Sequence, residues 1–107
     1  MLAAIPDYAD EVLSVVETIP SGAVLTYGDI AKRVGGGGPR QVGKVMATYG
    51  AAVCWWRVVR ADGVFPSHKH GFALEQYRRE GTPLRGDDPV RMRVDMTRAR
   101  WDPDDKA

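Results

Sequence analysis

Four consecutive glycines, Gly35 to Gly38, with Pro39 directly behind them, constrain this chain more than any other feature. No helix runs through four residues of such weak helix propensity, and proline belongs in a first helical turn. One helix therefore ends at Gly35 and another opens at Pro39. The segment before the glycines carries its own start signal: Thr26 with Asp29 three residues on approximates a capping box, and Ile30, Ala31 and Val34 continue the helix. Behind Pro39, the residues Val42, Val45, Met46 and Tyr49 recur at i, i+3, i+4 and i+7, the spacing of a core-facing stripe. The opposite face shows Arg40, Gly43, Lys44 and Ala47 at the same spacing, two cations and two very small residues. Small side chains let another backbone come close, and the cations say that it is anionic. Two short helices joined by a glycine turn read as a helix-turn-helix.

The remaining elements follow from periodicity. Tyr8, Val12, Val15, Val16 and Ile19 mark a helix near 7–18, with Asp7 as its expected cap and Pro20-Ser21-Gly22 as its stop. Ala23 to Leu25 is a short extended piece. Trp55 to Arg60 is rich in β-formers, Asp62-Gly63 is a hairpin turn, and Val64-Phe65 starts a return strand. A loop over 66–71 leads to a fourth helix at about 71–80 that turns Phe72 and Tyr77 inward and ends at Gly81. Val90, Met92, Val94 and Met96 alternate with Arg91, Arg93 and Asp95 as a half-buried strand, and the tail from about 102 to 107 is polar and expected to fray. The expected fold class is mainly α with small β: a winged helix, the hairpin being the wing, in a single domain over 1–107. There is no internal repeat and no linker.

Composition narrows the function classes. With 44% hydrophobic residues the chain can bury a core, and no stretch reaches the roughly 18 apolar residues of a membrane span. Met1 to Pro6 lacks a basic n-region, so no secretory signal is expected. The single cysteine, Cys54, can neither staple its own chain nor build a Cys-rich zinc site, which fits a reducing compartment and a cytoplasmic or nucleoid-associated protein. The net charge of +1 hides a pattern: residues 1–27 hold four acids and no base, while residues 28–60 hold six bases against Asp29 alone. Such a central basic block is the footprint of a polyanion site, although charge alone leaves an ordinary solvated basic face equally open. Gly38 to Lys44 imitates a phosphate-binding P-loop, but Val45 stands where Ser or Thr must hold magnesium, and the segment reads as helix. His68 and His70 flank Lys69, but two imidazoles without a neighbouring cysteine or carboxylate do not make a metal site, and neither metal nor cofactor is expected.

The stretches "IPSGAVLTYGDIA" (Ile19 to Ala31), "PRQVGKVM", "WWRVVRADG" and "EQYRREG", with a closing Trp101, resemble the DNA-binding domain of the O6-alkylguanine-DNA alkyltransferases. More closely, the chain is similar to their non-catalytic relatives, the alkyltransferase-like proteins. The repair enzymes carry Pro-Cys-His-Arg, whose cysteine takes the alkyl group; the non-catalytic relatives usually carry Pro-Trp-His-Arg. This chain has Cys54-Trp55-Trp56-Arg57. Anchored on Arg57-Val58-Val59, the resemblance puts Trp55 at the nucleophile position, Cys54 in place of proline, and Trp56 in place of the histidine that would activate a thiol. An indole is no nucleophile, so the chain is not expected to be an enzyme. Cys54 would reach the site only by a one-residue slip of its strand.

The resemblance implies a protein that binds O6-alkylguanine lesions in double-stranded DNA through the minor groove and flips the damaged base into a pocket without alkyl transfer. It implies, further, that the lesion is marked for nucleotide excision repair. Under it, Arg40 is the finger that replaces the extruded base, Tyr27 crowds the 3′ phosphate, and Gln41, Gly43, Lys44 and Ala47 complete the DNA-binding face. Trp55 walls the lesion pocket together with Tyr27, Arg57, Val58 and His68. The implied partners are alkylated duplex DNA and nucleotide excision repair proteins, with no membrane, the protein acting as a monomer. Two other readings stay open: a methylated-DNA-cysteine methyltransferase using Cys54, and a winged-helix transcriptional regulator. Against the latter, Gly43 and Ala47 are too short to read bases in a major groove.

Overall fold

The computed structural model describes residues 6–65 and 69–102. Three helices form its first half: α1 (Asp7–Thr18), α2 (Tyr27–Val34) and α3 (Pro39–Tyr49). Helix α2 begins where the capping box puts it. The Thr26 hydroxyl accepts from the Asp29 amide at 3.0 Å, and the Asp29 carboxylate accepts from the Thr26 amide at 3.0 Å. It ends on Gly35 at φ +85°, a left-handed cap that suits glycine. Helix α1 departs from expectation at its start. Asp7 is not its cap but its first residue, so this carboxylate, with that of Asp10, faces the positive end of the helix from within the first turn.

The expected hairpin over 55–65 is absent. Trp55–Arg57 is a 3-10 turn, and Val58–Val59 (β2) pairs in parallel with Leu25–Thr26 (β1), Leu25 opposite Val58. The physical reason is burial on both sides. Leu25 and Val58 face a core made with α1, α2 and α3, whereas Val24 and Val59 face a second core with Phe65, Ala73, Leu74, Tyr77, Val94 and Ala99. A strand covered on both faces suits parallel pairing inside the fold and cannot serve as an exposed wing. The turn at Asp62-Gly63 does form, but the Gly63 carbonyl accepts from the Val94 amide at 2.9 Å and not from a return strand. The small antiparallel pair lies later, Leu84–Arg85 (β3) with Arg93–Val94 (β4). The class remains mainly helical with small sheets and is winged-helix-like.

Two further expectations change. Helix α4 (His70–Glu80) buries Ala73, Leu74 and Tyr77, which leaves Phe72 on its outer side at 49% exposure rather than inward. The alternation of 90–96 yields only the two residues of β4. Asp88 folds the chain into a turn, its carboxylate accepting from the Val90 amide and its carbonyl from those of Arg91 and Met92, and Val90 is 80% exposed. Met96 opens a short helix α5 (Met96–Ala99), capped by Asp95. The chain then returns to the first half: the Trp101 amide donates to the Val24 carbonyl at 2.8 Å, Arg100 pairs with Asp29, and the Arg33 guanidinium lies 4.8 Å from the centre of the Trp101 ring. The expected fraying beyond Asp102 falls on residues 103–107, outside the described residues.

Candidate functional site

Helix α3 is seated by its inner stripe, with Val42 and Val45 buried and Met46 and Tyr49 half-buried against the first core. Its opposite face is therefore outward: Arg40, Gln41, Lys44 and Ala47 are exposed and Gly43 is half-buried. Gln41 has a local task as well, since its Oε1 accepts from the Gly38 amide at 2.9 Å and so closes the helix start. Gly43 has none. A Cβ built there would meet no heavy atom within 4 Å, so the chain's own packing does not require glycine at this position.

Below this face lies a cavity of about 230 Å³ lined by Tyr27, Gly43, Met46, Ala47, Trp55 and Lys69, with Thr48, Gly50 and Ala51 completing it. Tyr27, the first residue of α2, is carried here by the capping box. Burial pushes its hydroxyl above the ordinary phenol range, so at neutral pH it is a hydrogen-bond donor and not an anion. Trp55 forms the far wall. Its ring stacks on Phe72 at 5.7 Å and 24°, meets the edge of Trp56 at 5.8 Å and 82°, and has the Lys69 ammonium 5.3 Å from its centre.

A hydrogen-bonded hub fixes the backbone that presents Trp55. The Glu80 carboxylate, which closes α4, accepts from Trp56 Nε1 at 2.9 Å, Arg57 Nε at 3.1 Å, Arg57 Nη2 at 2.8 Å and the Gly22 amide at 3.1 Å. Arg57 Nη1 donates to the Ile19 carbonyl at 2.9 Å, and the Tyr77 hydroxyl donates to the Trp56 carbonyl at 2.5 Å. Burial alone would raise the Glu80 carboxyl, but these donors outweigh it and hold it below the ordinary carboxylate range; the same carboxylate raises Arg57. Burial pushes the Tyr77 phenol well above its usual value.

The structure thus brings Tyr27, Gly43, Ala47 and Trp55 together at one cavity, with Arg40, Gln41 and Lys44 on the adjoining exposed face. It does not bring Arg57 or Val58 there: Arg57 is engaged by Glu80, and Val58 is buried in the first core. His68 lies outside the described residues. Cys54 is a free, half-buried thiol that does not line the cavity. The reason is local. Cys54 immediately precedes the 3-10 turn, whose residues fan out about 120° apart, so Trp55 and its neighbours take different directions. Sequence reasoning missed Lys69, Thr48, Gly50 and Ala51, although the small-residue run Gly50-Ala51-Ala52 directly after α3 was a readable sign of close approach. Met46 was assigned to the core, and it borders both. Trp56, which the resemblance puts in place of the histidine, donates its indole N–H to Glu80 at 2.9 Å.

A larger cavity of about 470 Å³ lies beyond α2, lined by Thr26, Gly28, Asp29, Lys32, Met96 and Arg100 among others. Two of its charges, Asp29 and Arg100, are paired with each other: burial favours a raised Asp29 carboxyl, but Arg100 and Thr26 hold it below its ordinary value. Among the described residues, no three His, Cys, Asp or Glu side chains gather to hold a metal ion, and no helix is long and apolar enough to cross a membrane.

Comparison with known proteins agrees with this geometry. Residues 7–81 match the family model of the 6-O-methylguanine DNA methyltransferase DNA-binding domain. The chain is 34% identical over 101 residues to the DNA base-flipping protein of Escherichia coli, covering 88% of this chain and 74% of that protein. It is 33% identical over 84 residues to the methylated-DNA–protein-cysteine methyltransferase of Methanothermobacter thermautotrophicus, covering 75% of this chain but only 47%, about half, of that relative. The crystal structure of S. pombe Atl1 in complex with damaged DNA containing O6-carboxymethylguanine superposes with a TM-score of 0.79 at 26% identity, covering 94% of this chain and 100% of that one. Matched over most of its length by domain model, relatives and fold, the chain is an alkyltransferase-like member of the 6-O-methylguanine DNA methyltransferase DNA-binding-domain family.

Proposed function

We propose that this protein binds duplex DNA containing O6-alkylguanine, flips the damaged base into the cavity between α3 and Trp55, and transfers nothing. The observation that carries the reading is the composition of that cavity: an indole is its wall, and the chain's thiol is not among its lining residues. Helix α3 would enter the minor groove, its Gly43 and Ala47 allowing close approach and Lys44 meeting phosphates. Arg40 would take the place of the extruded base. Tyr27 would press on the 3′ phosphate and donate its hydroxyl. Extrusion costs a few kcal/mol of pairing and stacking, and less where alkylation already weakens the pair, which is one source of selectivity. The apolar wall of Trp55 against the O6 substituent is the second. Because no bond is made, the complex persists, and such a persistent complex is what the nucleotide excision repair machinery would take over.

Two measurements test this. Competition binding at one fixed ionic strength should favour an O6-methylguanine duplex over its unmodified twin. Incubation with a duplex labelled on that methyl group should leave the protein unlabelled. The methyltransferase relative makes alkyl transfer the sharpest rival. Label arriving on Cys54, and lost in Cys54→Ser, would establish that rival and defeat this reading.

A further inference from the structure

Two consecutive residues, Arg100 and Trp101, grip helix α2 at both of its ends. Arg100 reaches the first turn: its Nε donates to Asp29 Oδ2 at 3.0 Å and its Nη2 to Asp29 Oδ1, a fork on a carboxylate. Trp101 reaches the last turn, where the Arg33 guanidinium lies 4.8 Å from the centre of its ring. The backbone of this clasp is tied down beside β1. The Val24 amide donates to the Ala99 carbonyl at 2.9 Å, and the Trp101 amide donates to the Val24 carbonyl at 2.8 Å. The clasp lies beyond the matched domain, which ends at residue 81.

What Arg100 holds is the cap of α2. The Asp29 oxygen that takes its Nε also accepts from the Thr26 amide, and the Thr26 hydroxyl accepts from the Asp29 amide. Tyr27 follows Thr26 directly as the first residue of the helix, and it lines the cavity under α3. Helix ends fray, so the direction of Tyr27 depends on how firmly this cap is closed. Arg100 itself lines the larger cavity beyond α2 and not the one that Tyr27 enters, so it acts through the helix. We propose that Arg100 is a positioning residue: by locking Asp29 it holds the start of α2, and with it Tyr27, in the attitude that extrudes an alkylated guanine. The inference rests on the proposed reading in which Tyr27 presses on the 3′ phosphate of the flipped nucleotide. A phosphate so pressed pushes back on the first turn of α2, and the Arg100 fork resists from the other side. The Arg100 side chain is 56% exposed, and an ion pair so open to solvent adds little to global stability. Its loss is therefore read at the site, as a fall of about two- to fivefold in preference for the lesion.

The test pairs competition binding of O6-methylguanine and unmodified duplexes with the fluorescence of a 2-aminopurine set beside the lesion, which brightens when its neighbour leaves the stack. Arg100→Met, uncharged and of similar reach, should lower both the lesion preference and the fluorescence rise, with plain-DNA affinity and Tm close to wild type. Arg100→Lys should recover part of the loss. Asp29→Asn keeps an oxygen for the Thr26 amide but loses the ion pair, so it should reproduce the Arg100→Met defect, and the double variant should be no worse than either. In a Tyr27→Ala background, Arg100→Met should change nothing further. Wild-type preference and fluorescence in Arg100→Met would overturn the proposal. So would an equal loss on both duplexes, which would make Arg100 a phosphate contact, or a loss that persists undiminished in the Tyr27→Ala background. A Tm lowered enough to unfold Arg100→Met at the assay temperature would make the clasp a stability device and overturn it as well. If the wild-type protein shows no preference for the lesion, it is the underlying reading of the cavity that fails, an outcome distinct from the others.

Discussion

Gly43 separates the needs of the fold from those of the site. It sits inside α3, where glycine is less favourable than alanine by about 0.5–1 kcal/mol. A Cβ there meets no heavy atom of this chain within 4 Å, so the substitution Gly43→Ala introduces no clash. The free protein should gain that stability, raising Tm by about 2–5 °C. Gly43→Leu should also fold, because the space beyond the Cβ is open. DNA binding should move the other way. If the α3 face meets the duplex at close range, extra atoms at 43 act as overpacking at an interface, a cost of about 1–3 kcal/mol for leucine, hence roughly fivefold to 150-fold in affinity. Thermal unfolding followed by circular dichroism gives the first quantity, and fluorescence anisotropy with alkylated and plain duplexes gives the second. A lower Tm in Gly43→Ala would show that the fold itself requires the glycine. Wild-type affinity in Gly43→Leu would show that the small-residue face does not lie against DNA.

Other perturbations probe neighbouring parts. Arg40→Ala should weaken binding to lesion DNA more than to plain DNA in competition titrations; equal loss would reduce Arg40 to a phosphate contact. Trp55→Ala should fold, since its ring is only half-buried, and should lose discrimination between large and small O6 substituents; stability should fall by less than the roughly 3–5 kcal/mol of a fully buried tryptophan. Glu80→Gln should cost about 3 kcal/mol in denaturant unfolding at neutral pH, because Arg57 would be left without its counter-charge. The folded Glu80 carboxyl lies below its ordinary value of 4.5, so its stabilisation is present above that pH and is lost as pH falls through the folded value. Acid unfolding should therefore be less steep below about pH 4.5 in Glu80→Gln than in wild type.

The helix-turn-helix was legible because its signals are local. The glycine run, Pro39, the Thr26–Asp29 pair and the stripe of α3 each concern residues within one or two turns. The misread parts depended on distant partners. Val58 and Val59 do form a strand, as their side chains favour, but the partner is Leu25–Thr26, more than thirty residues earlier, and not the stretch beyond the next turn. The alternation at 90–96 gave way to the side chains of Asp88 and Asp95, which bind nearby amides and break a long strand into a turn and a helix start. At the site, Gly43 and Ala47 were readable from type and spacing and Tyr27 and Trp55 from the family resemblance, while Lys69 reaches the cavity only because α4 folds back beside Trp55. Arg57, placed by resemblance in the pocket, is drawn away by a carboxylate 23 residues on.

The carboxylate that closes α4 has a consequence for any attempt to give this scaffold chemistry. Both of its oxygens are saturated by nitrogen donors, one of them an indole that can surrender no proton at physiological pH and accept none. A sulfur introduced at position 55 would face the cavity yet find no relay to strip its hydrogen. The same constellation that in a proton-handling site would drive a reaction serves here as mechanical bracing for an indole wall.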